Sequence, residues 1–107
     1  MILDKVRRAL EHQKAAAELI ELRQKLKYDE KKLRQLKEDF AEIERRRRHE
    51  WDNSPKRGEF KLSAKEQGER NNALSTIDRY ELEISLDKEN IEECEKKLAK
   101  EPHLKVA

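Results

Sequence analysis

Apolar side chains recur at alternating steps of three and four along most of this chain. The first series is Leu19, Leu22, Leu26, Asp29, Leu33, Leu36, Phe40 and Ile43, an a/d heptad seam interrupted once by Asp29. The second is Ala73, Ile77, Tyr80, Ile84, Asp87, Ile91, Cys94 and Leu98, again with a single aspartate in an apolar row. A mean spacing of about 3.5 residues keeps one side of an α-helix turned toward a partner, so each series predicts a long helix that pairs along its seam.

The ends of these helices have local causes. Arg45 to Arg48 fall in what would be the last turns of the first helix, where cations are favoured by the exposed carbonyls. Asp52-Asn53-Ser54-Pro55 followed by Gly58 is turn chemistry. Ser63 and Glu66 have capping-box spacing, and Pro102 would stop a helix near Glu101. The pattern therefore predicts one helical domain over 1–107: a helix over about 2–50, a bend over about 51–62, a helix over about 63–101, and a short tail, 102–107. The helices would span roughly 65 and 57 Å at 1.5 Å per residue, and the linker lets them fold back antiparallel.

Folding about residue 55 sets Leu33 opposite Ile77, Leu26 opposite Ile84 and Leu19 opposite Ile91. In that register Lys25 approaches Glu83, Glu30 approaches Glu81 and Arg23 approaches Lys88, so flanking charges do not favour it as a set. Asp29 and Asp87 would sit in an apolar seam, where a carboxylate costs stability unless it finds a partner, and they are expected to select register or oligomeric state.

Advancing 100° per residue, Ile2, Leu3, Val6, Ala9, Leu10, Ala16, Ala17 and Ile20 fall nearly opposite the first seam. Leu82 and Leu86 lie opposite the second, and Tyr28 also falls off the seam. Either residues 1–17 fold back as a separate helix, or these side chains meet another copy of the chain. Ala15 to Ala17 offer no breaker, which favours association, with Ile20, Tyr28, Leu82 and Leu86 as the interface. The expected fold class is thus all-α, a long antiparallel helical hairpin of coiled-coil type assembled into a homodimer or larger helical bundle.

Composition supports stripes over a globular core. Of 107 residues, 35% are apolar and 47% charged, too lean for an ordinary core. The 26 basic and 24 acidic residues nearly balance, and only two Gly and two Pro occur, which argues against a disordered chain. Charged residues at the start of MILDKVRRAL and the absence of any long apolar run predict no secretory signal and no membrane span, hence a cytoplasmic protein. Cys94 has no intrachain partner and reads as a small packed hydrophobe.

Motifs for chemistry are missing. Gly58 and Gly68 form no phosphate-cradling loop, there is no Cys pair for zinc, and none of His12, His49 and His103 follows a glutamate by three residues. Glu92, Glu93 and Glu95 read as a solvated face. No catalytic residue, cofactor or metal is expected, and the chain reads as a non-enzyme.

Residues 44–70 carry nine basic and six acidic residues, net +3, and residues 71–107 carry six basic and nine acidic, net −3. Arg45 to Arg48 wrap around the helix because successive positions rotate by 100°, so they make no continuous phosphate-tracking stripe. Trp51 and Phe60 are expected to close the apolar end of the bend. The function this predicts is a protein–protein interaction module, an adaptor, assembly factor or inhibitor, with Arg46, Arg48, Trp51 and Arg57 as partner-binding residues. Alternatives are nucleic-acid binding through the arginine-rich bend and capture of a small anionic ligand or nucleotide between assembled hairpins.

Overall fold

The computed structural model describes residues 2–55 and 58–100; Arg57 of the expected partner site, the Pro102 helix stop and His103 lie outside these residues. The described residues are all-helical apart from the linker, and two long helices pack antiparallel as a hairpin. Helix α1 is Ile2–Asp52 and helix α2 is Ala64–Ala99. Ala15 to Ala17 continue α1 without a break, so residues 2–17 belong to the same helix as the seam.

Both ends at the bend close as their side chains dictate. The Asn53 amide and its side-chain Nδ2 both donate to the His49 carbonyl, at 3.1 and 2.9 Å, satisfying a carbonyl in the last turn of α1. Gly58 takes a φ of 108°, a conformation open to glycine at little cost. At the start of α2 the Glu66 amide donates to Ser63 Oγ at 3.1 Å and the Ser63 amide donates to Glu66 Oε1 at 3.0 Å, the reciprocal capping box.

The chain divides into two compact units. One, Glu30–Leu82, holds the bend. Its seam includes buried Ile77, with Leu33, Leu36, Phe40, Ala73 and Tyr80 half-buried around it. Lys37 pairs with Glu81 at 3.2 Å, and Arg70 with Glu44 at 2.6 Å while lying over the Phe40 ring at 5.6 Å. Trp51 and Phe60 meet edge to face with ring centres 5.7 Å apart, closing the apolar end of the bend.

The other unit joins 1–29 to 83–107. Leu19, Ile84 and Cys94 are buried there, and the Cys94 thiol donates to the Ala15 carbonyl at 3.2 Å. Asp29 and Asp87 are buried in the same seam. Lys25 reaches Glu83 at 3.2 Å, as the expected register has it, Arg23 pairs with Glu95 at 3.4 Å, and in the other unit Glu81 pairs with Lys37 at 3.2 Å. The heptad pattern looks alike when one helix slides by a layer, and these charge pairs supply the electrostatic preference that the flanking charges did not reveal in the sequence.

Because so few apolar side chains are buried, each matters. Ile84→Ala should lower unfolding free energy by about 2–4 kcal/mol, as for other buried large-to-small changes. Ser63→Ala should cost about 1 kcal/mol through loss of the cap. Urea denaturation followed by circular dichroism measures both, and an Ile84→Ala cost smaller than that of Ser63→Ala would contradict a seam-centred core.

Candidate functional site

The most constrained chemistry in the molecule lies in the unit formed by 1–29 and 83–107, where one lysine holds three carboxylates. Lys25 precedes Asp29 by one helical turn, so its Nζ folds over that carboxylate at 2.9 Å. The same Nζ donates to Asp87 Oδ1 at 2.7 Å and to Glu83 Oε2 at 3.2 Å across the seam. One oxygen from each of Asp29, Glu83 and Asp87 lies within 4.8 Å of the others, a set that could hold a cation, and the Lys25 ammonium supplies the positive charge there.

Burial makes the balance unequal. Asp29 is 5% and Asp87 2% exposed, whereas the Lys25 side chain is 48% exposed. Asp87 Oδ2 is fully shielded and has no hydrogen-bond partner. Burial, and then the neighbouring Asp29 carboxyl, pushes the Asp87 carboxyl above the ordinary carboxylate range. The Asp87 carboxyl beside it, followed by Lys25, holds Asp29 below that range. Lys25 is pushed far above the ordinary lysine value, first by Asp87 and then by Asp29. Asp87 is therefore the carboxyl biased toward its neutral form and Asp29 the one biased toward its ionised form, with the Lys25 ammonium beside both. The aspartates become a joined pair under one ammonium, an arrangement that suits alignment of two helices.

The arginines of the bend unit are mostly committed within the chain. Arg46 pairs with Glu42 at 3.2 Å and Arg48 with Asp52 at 3.4 Å, each one turn away. Arg47 turns into the seam and pairs with Glu69 at 2.6 Å and Glu66 at 3.6 Å. Arg48 also lies over Phe60, 5.1 Å from the ring centre. Arg45 alone of the run has no carboxylate partner among the described residues. It lines a cavity of about 340 Å³ with Glu44, Arg47, Arg48, Phe60 and Leu62.

Of the residues expected to bind a partner, Arg46 and Arg48 are exposed and Trp51 is half-buried. Of those expected at a self-association surface, Ile20, Tyr28 and Leu86 are exposed in one unit and Leu82 is exposed in the other. Sequence reasoning missed Lys25 as the centre of the carboxylate cluster and Arg45 as the uncommitted arginine. The lysine one turn before a seam aspartate was the available signal for the first. For the second it was Ala41 and His49, which stand four residues either side of Arg45 where its neighbours find acids. No helix among the described residues is long and apolar enough to cross a membrane. Comparison with protein-family models, with curated proteins and with solved structures finds no match to this chain.

The two aspartates should respond oppositely to neutralisation. Asp87, raised in the fold, adds stability below its ordinary value of about 3.9 and loses it as pH rises through the folded value. Asp29, lowered, adds stability above its ordinary value and loses it as pH falls. At neutral pH Asp87→Asn should melt above the parent, and Asp29→Asn should be destabilised by roughly 1–3 kcal/mol. Below about pH 3 both differences should shrink. Melting curves across pH decide this, and equal effects of the two variants at neutral pH would contradict the assignment.

Proposed function

We propose that this chain is a non-enzymatic interaction protein that assembles with copies of itself through the helix faces turned away from the seam, and that it docks a second protein at the bend. The observation that carries the reading is the imbalance between core and surface. Only Leu19, Ile77, Ile84 and Cys94 are buried apolar residues among those described, while Ile2 and Leu3 are 79%, Tyr28 63% and Leu82 61% exposed. Val6, Leu10, Ile20 and Leu86 are exposed as well. Large apolar side chains left in water along helices that already spend their seam are what a second helical layer would cover.

The bend favours protein over nucleic acid as the partner, because Arg46, Arg47 and Arg48 already face carboxylates and, among the described residues, no row of free guanidinium groups tracks a phosphate backbone. A partner protein needs only a few anchors, and the half-buried Trp51 beside Arg48 is of the type that supplies them.

Light scattering coupled to gel filtration tests the assembly. The parent should run at a multiple of 12.8 kDa, and Leu82→Glu with Leu86→Glu should run at a lower multiple with unchanged helicity. Both residues are exposed, so neither change attacks the seam. A parent that is monomeric at all concentrations overturns the assembly reading.

A further inference from the structure

We infer that the cavity beside Phe60 is a docking notch for an acidic segment of another protein in which Glu or Asp neighbours an aliphatic side chain. The inference rests on the reading of the chain as an interaction protein and names the chemistry of the partner at the bend. The notch combines two unmet demands within the unit Glu30–Leu82. Arg45 brings a guanidinium with no carboxylate partner among the described residues, beside three arginines that each have one. Phe60 and Leu62 bring an apolar wall to the same cavity of about 340 Å³, room for a pair of side chains.

The chemistry of the lining selects the occupant. A carboxylate gives the planar Arg45 fork the kind of partner that Arg46 and Arg48 find within α1, and one whose two oxygens match the fork. An aliphatic neighbour on the same segment covers Phe60 and Leu62. A nucleobase fits less well, because Arg48 lies over the Phe60 ring and Trp51 meets that ring edge to face, so its stacking positions are partly taken. The carboxylates of Glu44 and Asp52 add negative charge near the cavity, but each already holds an arginine, Arg70 at 2.6 Å and Arg48 at 3.4 Å. A continuous polyphosphate would meet that acidic surround, whereas a single side-chain carboxylate needs only Arg45.

A short, terminally blocked peptide of alternating Glu and Leu is the probe, and Trp51, the only tryptophan of the chain, is the reporter beside the notch. The peptide should give a saturable fluorescence change that weakens as salt is raised. Arg45→Gln should weaken it about tenfold, while Arg46→Gln stays within about twofold. Peptides of Lys and Leu, or of Glu alone, should bind less. Arg45 is exposed and unpaired, so its variant should keep parental helicity, which circular dichroism checks. No saturation up to about 1 mM peptide overturns the inference. So does equal affinity of the Arg45→Gln protein, or tighter binding of a uridine oligonucleotide than of the peptide. A drop in oligomeric mass in Arg45→Gln also overturns it, because the occupant would then be a second copy of this chain. Self-association is read by mass and peptide binding by Trp51, so either can fail while the other holds.

Discussion

The positive charge of Lys25 between Asp29, Asp87 and Glu83 is the constraint on which the pairing of the outer helical segments depends. Two aspartates in an apolar seam are an unfavourable start, since each carboxylate loses water that only a partner or a proton can replace. The lysine meets that demand from the seam edge, keeping half its own surface in water while its ammonium reaches inward. Asp87, the more buried of the two, is pushed toward its neutral form by that burial, while Lys25 helps hold Asp29 ionised. An alignment that separated these groups would leave a buried carboxylate without a cation, so the cluster penalises slippage more sharply than leucine packing does.

This division of labour explains the rest of the molecule. Apolar seam residues supply adhesion without much preference for register, and charges supply the preference. In the unit that holds the bend, the same role falls to Arg47 with Glu69, Arg70 with Glu44 and Lys37 with Glu81. A chain with 47% charged residues can afford this, but little remains for a hydrophobic interior, and many large apolar side chains stay in water. The exposed faces and the small core share one cause.

Much of the architecture was legible from the residue pattern. The seam positions, the capping box of Ser63 and Glu66, the turn after Asp52 and the edge-to-face closure of Trp51 on Phe60 follow from local rules that need no knowledge of the partner helix. Register was legible in part: the expected approach of Lys25 to Glu83 is present at 3.2 Å, but a slide by one layer again sets apolar residues against apolar ones, so the apolar pattern alone does not fix it. Nothing local showed that Asp29 and Asp87 would share one lysine. The site at the bend was half legible: Trp51 and Arg48 stood out by type, and Arg45 differs from Arg46 and Arg48 in lacking an acid four residues away along the helix, but the cavity it shares with Phe60 and Leu62 forms only when the chain folds back.

Isotope-edited nuclear Overhauser spectroscopy on labelled protein addresses the shared ammonium most directly. The account predicts contacts from the Lys25 side-chain methylene beside Nζ to the β-protons of both Asp29 and Asp87, retained as intramolecular signals when labelled and unlabelled chains are mixed. Contacts from Lys25 to Asp29 alone, or contacts to Asp87 that appear only between different chains, would contradict it.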